Sequence, residues 1–364
     1  MTRAGVRVRE AVEALPPYRG LAGARPPIRL DGNENPHGPS PRALAALRAL
    51  EGDALSRYPN AAALRARWAR QLGVSERSVL LAPGSGPALA LVAELVLGPG
   101  AGCVMLEPSF ELYAWAARRR EARLVGVPCE AGRPFPGAAF RRALAEGRLR
   151  LAVMGLPDNP TGVAPPARWL ESVARGFPET LFLVDEAYHE FSGRTALPLA
   201  RALPNVMVAR TLSKAYGLAG ARVGALVGPP RLVERLHRIN LPYPVAGPAC
   251  AAGLAALDDM THVRRTVRGA RRERRRLAAG LERLGFTVTA PPVNFVLLHL
   301  ESAASAGRMV AALARRGIAV RNRSHLSGMA GVVRVSCGTE AETDAFLAAV
   351  RALSHGRRVK RRTR

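Results

Sequence analysis

Lysine is nearly missing from this chain. Of 54 lysine and arginine side chains, only Lys214 and Lys360 are lysine. Arginine keeps its proton at physiological pH and cannot act as an amine nucleophile. Any chemistry that needs a neutral amine therefore falls on Lys214, because Lys360 sits in the basic run that ends the chain. Cysteine is sparse too. Cys103, Cys129, Cys250 and Cys337 stand far apart with no CxxC spacing, which excludes a disulfide framework and a zinc ribbon and points to reduced thiols in the cytoplasm. Aromatic residues make up 5% of the chain, few for the stacking platforms that single-strand nucleic-acid binders set beside their charge. The longest apolar run, residues 88–97, is too short for a bilayer and contains Glu94, and no signal peptide opens the chain. HExxH, GxSxG and Walker patterns are missing and His189-Glu190 is an isolated pair, so no metal is expected.

What is present describes a folded enzyme-sized body. A hydrophobic fraction of 48% over 364 residues can bury a large core and points to two domains. The formal charge of +26 is carried by arginines spread along the whole chain. Denser clusters at 118–120, 271–276 and 357–364 read as two solvated helix faces and a frayed tail. This pattern argues against a nucleic-acid face, and its positive field favours anionic substrates.

The chain opens with an arm. Leu15-Pro16-Pro17-Tyr18 and Arg25-Pro26-Pro27 favour extended backbone, and the turn-rich stretch 31–41 follows. Ser40 with Pro41 starts a helix to about Leu50, and a second helix spans 61–72. Short apolar runs then alternate with helix-length segments, beginning near Val79, Cys103, Leu124, Leu151, Leu181, Val206 and Val223. Continuous apolar strands between helices predict a mostly parallel sheet covered on both faces. After about residue 230 long helices precede strands near Thr287, Phe295, Ile318 and Val332, and a last helix spans 340–353. The fold class is therefore α/β, a three-layer αβα large domain with a smaller α+β domain. The expected divisions are an arm at 1–35 packed on the small domain or a dimer partner, a large domain at 36–240, a small domain at 241–355, and a disordered basic tail at 356–364.

In such sheets functional groups collect beyond the carboxyl ends of the strands. The polar groups there are Gly84-Ser85-Gly86, Ser109-Phe110, Asp158-Asn159, Asp185 with Tyr188, and Thr211 to Lys214. Singly they read as caps, turns and core. Jointly they answer the needs of pyridoxal 5'-phosphate. Lys214 supplies an amine for an imine, and Asp185 a carboxylate for the pyridine nitrogen. Asn159 and Tyr188 offer partners for the phenolate oxygen, and Phe110 a wall for the ring. Gly84, Ser85 and Gly86 at a helix start, with Thr211, Ser213 and Arg222, form a phosphate cradle.

Asn33-Glu34-Asn35-Pro36, Arg57-Tyr58-Pro59, Asn159-Pro160-Thr161-Gly162, Asp185-Glu186-Ala187-Tyr188, Arg210 to Lys214 with Arg222, Pro242-Tyr243-Pro244 and Val333-Arg334-Val335-Ser336 follow one another in order. Together they resemble the fold-type I class I/II aminotransferases, and most closely the histidinol-phosphate aminotransferase family, over roughly residues 15 to 350. The resemblance implies that Lys214 carries the coenzyme and moves the substrate proton. It further implies that Tyr58 reaches the partner subunit's coenzyme phosphate in a homodimer with shared active sites, and that Arg334 binds the substrate's carboxylate or phosphate. Arg321 matches a second arginine of the histidinol-phosphate branch, and Tyr18, Asn33 and Tyr243 would line the substrate pocket.

The leading expectation is transfer between histidinol phosphate and 2-oxoglutarate by a ping-pong mechanism. Aromatic amino-acid transamination and an α-carbon reaction such as that of threonine-phosphate decarboxylases are the alternatives, with a basic nucleic-acid-binding protein as a remote one. Pro87 after Gly86, Leu156 before Pro157, Phe110 in place of tyrosine, His37 in place of tyrosine and Ala225 in place of an aromatic residue depart from the usual pattern, and a wider pocket is expected near Ala225.

Overall fold

The computed structural model describes residues 6–15 and 26–362, with side chains described through Ser354. Among the described residues twelve strands form two sheets: β1 (Ile28–Leu30), β2 (Val79–Ala82), β3 (Gly102–Glu107), β4 (Arg123–Pro128), β5 (Leu149–Gly155), β6 (Leu181–Asp185), β7 (Val206–Thr211), β8 (Gly224–Val227), β9 (Thr287–Thr289), β10 (Phe295–His299), β11 (Ile318–Asn322) and β12 (Val332–Ser336).

The larger sheet runs in the order β2-β8-β7-β6-β5-β3-β4. Neighbours from β7 to β4 pair in parallel, and β8 pairs antiparallel with both β7 and β2. Alternate residues of each central strand enter two different cores. Phe182 and Val184 of β6 join one cluster, Leu181 and Leu183 the other. Burial on both faces explains the unbroken apolar runs. Because only β8 is reversed, the carboxyl ends of β2, β3, β5, β6 and β7 share one edge.

The smaller sheet runs β1-β11-β12-β10-β9. Its first strand comes from the arm, where Ile28–Leu30 pairs in parallel with Ile318–Val320. Three residues are too few to show a strand period in the sequence. The helices start as their caps dictate. Ser40 Oγ accepts from the Ala43 amide with Pro41 in the first turn, and the Asp259 side chain accepts from His262 at the start of the helix Met260–Arg283.

Two expectations are corrected. The last helix runs from Glu340 to Arg362, past the expected end and through most of the tail expected to be disordered. Gly356 is the one weak helix former there, and a single glycine costs a helix only about 1 kcal/mol. Ala225 is fully buried in β8, opposite Leu81 and Arg210, and does not line the cavity described below, so it widens nothing there.

Candidate functional site

The carboxyl ends of the large sheet, the 31–34 segment and the strands β11 and β12 enclose a cavity of about 560 Å³. Lys214 enters it from the turn after β7. Its Nζ donates to the Gly32 carbonyl at 3.1 Å. Burial first, and then the positive charge of Arg334, bring its pKa down to about 8, against the opposing pull of Glu34 and Asp185. The amine is thus a cation below about pH 8 and a nucleophile above it. In the coenzyme-free protein, covalent uptake of an aldehyde should therefore quicken as pH rises through about 8 and level off beyond it. Stopped-flow absorbance against pH reads this directly, and a midpoint near the ordinary lysine value would contradict it.

Asp185 closes the far wall. It ends β6, is 5% exposed, and accepts from the Tyr113 hydroxyl at Oδ2 (3.0 Å) and from the Ala187 amide at Oδ1 (3.0 Å). Burial pushes its pKa up, while those two donors and the Lys214 charge pull it back. The sequence reading missed Tyr113. The signal was its place three residues after Phe110, one helical turn on. The two rings meet edge to face at 5.6 Å, and Phe110 lines the cavity.

Asn159, Arg334 and Tyr188 are joined through the arm. Arg334 Nη1 donates to Asn159 Oδ1 at 2.7 Å and Nη2 to the Asp31 carbonyl at 2.6 Å. Asn33 Nδ2 donates to the Tyr188 oxygen at 2.8 Å, and Ser336 Oγ donates to Asn33 Oδ1 at 2.8 Å. Asn33 adopts a φ of 51°, a left-handed conformation that asparagine tolerates. Asn33 lines the cavity, as expected of it, and its side chain also holds Tyr188.

At the other end, Gly84 caps the helix Ser85–Val96 with a φ of 91°. Ser85, Gly86, Thr211, Ser213 and Arg222 line this corner, with the Thr211 hydroxyl donating to Ser213 Oγ at 2.9 Å. A Cβ on Gly84 would stand 2.5 Å from Arg222 Nη2, and one on Gly224 2.5 Å from the Gly84 carbonyl carbon. Gly224 is required for the close approach of β8 to this turn, and Gly84 for its left-handed backbone. Behind it, buried Arg210 pairs with Glu186 at 2.6 Å and anchors the turn after β6.

Tyr58 and Tyr243 are elsewhere. They stack on each other at 4.5 Å, 80% and 54% exposed, and neither lines the cavity of its own chain. That corrects the pocket-lining role expected of Tyr243 within one chain. Tyr18 lies outside the described residues. Arg321 does line the cavity, and so do Glu111 and Arg323, which sequence reasoning passed over.

The family model for aminotransferase class I and II matches residues 25–350. The chain belongs to the class I and II aminotransferases. It is 38% identical over 359 residues to the histidinol-phosphate aminotransferase of Symbiobacterium thermophilum, covering 95% of this chain and 98% of that one. It is 37% identical over 330 residues to the histidinol-phosphate aminotransferase of Roseiflexus castenholzii, covering 88% of each. Among solved structures, the histidinol-phosphate aminotransferase of Sinorhizobium meliloti in complex with pyridoxal-5'-phosphate superposes with a TM-score of 0.87 at 28% identity, over 98% of this chain and all of that one. As an aminotransferase of these classes the protein is a pyridoxal-phosphate-dependent enzyme, and every cavity-lining residue falls inside the matched span.

Proposed function

We propose that this aminotransferase takes histidinol phosphate as amino donor and 2-oxoglutarate as acceptor. One observation carries the choice of donor. Apart from Arg222 in the corner beside Gly84, three guanidinium groups, Arg321, Arg323 and Arg334, line the cavity that holds the Lys214 amine, more positive charge than one carboxylate needs. A phosphate monoester beside the donor's amino-bearing carbon matches it. The relatives' shared activity supports the same reading.

The residues present fit the coenzyme. The Gly84 turn, whose missing Cβ leaves room for Arg222, would hold its phosphate with Ser85, Gly86, Thr211 and Ser213. Asp185 would meet the pyridine nitrogen, Asn159 and Tyr188 the phenolate oxygen, and Phe110 the ring face. When bound, the coenzyme supplies an electron sink that acidifies the donor's α-carbon. Lys214 would anchor it, then use its freed Nζ to take the α-proton and return it at the opposite end of the same system. Tyr113 and the Ala187 amide keep the Asp185 carboxylate facing inward. Arg334, braced by Asn159 and Asp31, would hold the anion of donor and acceptor in turn.

Leu55, Tyr58, Leu241 and Tyr243 are large exposed apolar side chains, a surface suited to a second copy of this chain. In that homodimer Tyr58 would reach the partner's coenzyme phosphate and Tyr243 its substrate pocket. A monomeric sedimentation coefficient for the loaded enzyme would overturn this. We place the enzyme in the cytoplasm on its four free thiols; among the described residues no helix is long and apolar enough to cross a membrane.

Titrating the purified enzyme with histidinol phosphate, phenylalanine, glutamate and phosphothreonine, while following the coenzyme absorbance, identifies the donor. Histidinol phosphate should convert it at the lowest concentration without release of carbon dioxide. Preferential conversion by phenylalanine, or carbon dioxide from phosphothreonine, would replace the proposal with one of its alternatives.

A further inference from the structure

Arg323 lies one residue beyond β11, is 5% exposed and lines the cavity. Its Nε and Nη1 are buried without a hydrogen-bond partner. The nearest carboxylate, Glu111 Oε2, is 3.5 Å from Nη1, and Glu111 Oε1 is itself engaged by His325 Nε2 at 3.2 Å. Arg334 has one such atom, its Nε, while both its Nη atoms already donate within the protein. Buried donors are almost always satisfied, so two orphans on one guanidinium facing a cavity mark a place where an acceptor binds.

The neighbourhood makes the same demand. Arg321 stands directly opposite Arg334 in the β11–β12 ladder, so two like charges lie side by side at the cavity wall. Burial, and then the charge of Arg323, bring the Arg334 pKa down to about 9. Burial likewise lowers that of Arg323, with Glu111 opposing and Arg321 reinforcing the shift. A carboxylate has one charge and a planar pair of oxygens, which Arg334 can satisfy. A phosphate monoester has a further oxygen and, near neutral pH, close to a second charge.

We propose that Arg323 is the residue that distinguishes a phosphate from a carboxylate on the donor, its Nε and Nη1 taking the phosphate oxygen that Arg334 cannot reach. Glu111, steadied by His325, is the counter-charge that keeps the guanidinium turned into the cavity. The inference rests on the aminotransferase reading of this site.

The test uses loaded wild-type, Arg323→Ala and Arg323→Lys enzymes, so that the coenzyme's own phosphate position is filled. Single-turnover conversion by histidinol phosphate should fall roughly 30-fold or more in Arg323→Ala, mainly through weaker binding. Conversion by phenylalanine, which offers a carboxylate at the same place, should stay within about threefold, with the lysine variant intermediate. Inorganic phosphate should inhibit phenylalanine conversion by the wild type competitively and Arg323→Ala at least about tenfold more weakly. Parallel loss with both donors, or unchanged phosphate inhibition, would overturn the proposal. If wild-type enzyme ignores histidinol phosphate, the substrate reading fails by itself. The phosphate-inhibition comparison then still decides whether Arg323 forms an anion subsite.

Discussion

Replacing Lys214 by alanine is expected to lower kcat for transamination by at least about 10⁴-fold, because one side chain supplies both the covalent anchor and the mobile proton. No neighbour can substitute. The other lysine, Lys360, lies far along the chain in the last helix, and the remaining cations in the cavity are arginines. Lys214→Arg is the sharper variant: it keeps the charge but cannot lose its proton, so it should be as inactive as alanine. The alanine loss should not come from unfolding. The wild-type amine is a buried group whose charged form is already disfavoured, by burial and by Arg334, so alanine removes an electrostatic burden. Single-turnover kinetics with matched melting curves checks this. Activity within about a hundredfold of wild type in either variant would remove Lys214 from the chemistry.

The expectations drawn from sequence succeeded where burial is two-sided. Val79, Cys103, Leu151, Leu181 and Val206 begin unbroken apolar runs because both faces of their sheet are covered, and the helices between them imply parallel pairing. Strand order was not legible. The placement of β8 between β2 and β7 depends on Gly224 meeting the Gly84 backbone, a contact 140 residues apart in sequence that no local period encodes. The candidate site divides on the same line. Lys214, Asp185, Asn159 and Tyr188 could be picked out because strand ends converge, and they do line one cavity. Tyr113 looked like an ordinary core position of an amphipathic helix, and its hydroxyl meets Asp185, 72 residues away, only in the folded protein. Arg323 was one of 54 basic residues, and only its burial sets it apart. Asn33 does line the cavity, and what the sequence hid is its bond to Ser336, 303 residues away. Tyr58 and Tyr243 stack on each other and do not line their own chain's cavity, and no local pattern in the sequence separates them from residues that do.

Asp185→Asn should separate catalysis from folding. The asparagine has almost the same shape but one acceptor oxygen where the carboxylate has two. In the wild type Oδ1 and Oδ2 each receive a donor, from the Ala187 amide and the Tyr113 hydroxyl. In the variant the amide nitrogen must face one of them, and the hydroxyl of Tyr113, able to accept as well as donate, is the one that can reverse. The coenzyme-free protein therefore loses little. Burial holds the wild-type carboxyl above its ordinary pKa, so its charge costs stability that asparagine does not, and the melting temperature should be unchanged or higher. With the coenzyme bound the balance inverts, because a protonated ring nitrogen is left without a counter-charge in a dry site. Truncating one member of such a buried charged pair typically costs about 2–5 kcal/mol, roughly 30- to 4,000-fold. The loss should appear in kcat and in coenzyme affinity together. Asp185→Glu, which keeps the charge one methylene out of place, should recover part of it. A variant with reduced melting temperature and unchanged coenzyme affinity would mean that Asp185 serves the β6 turn alone and that the ring nitrogen has another partner.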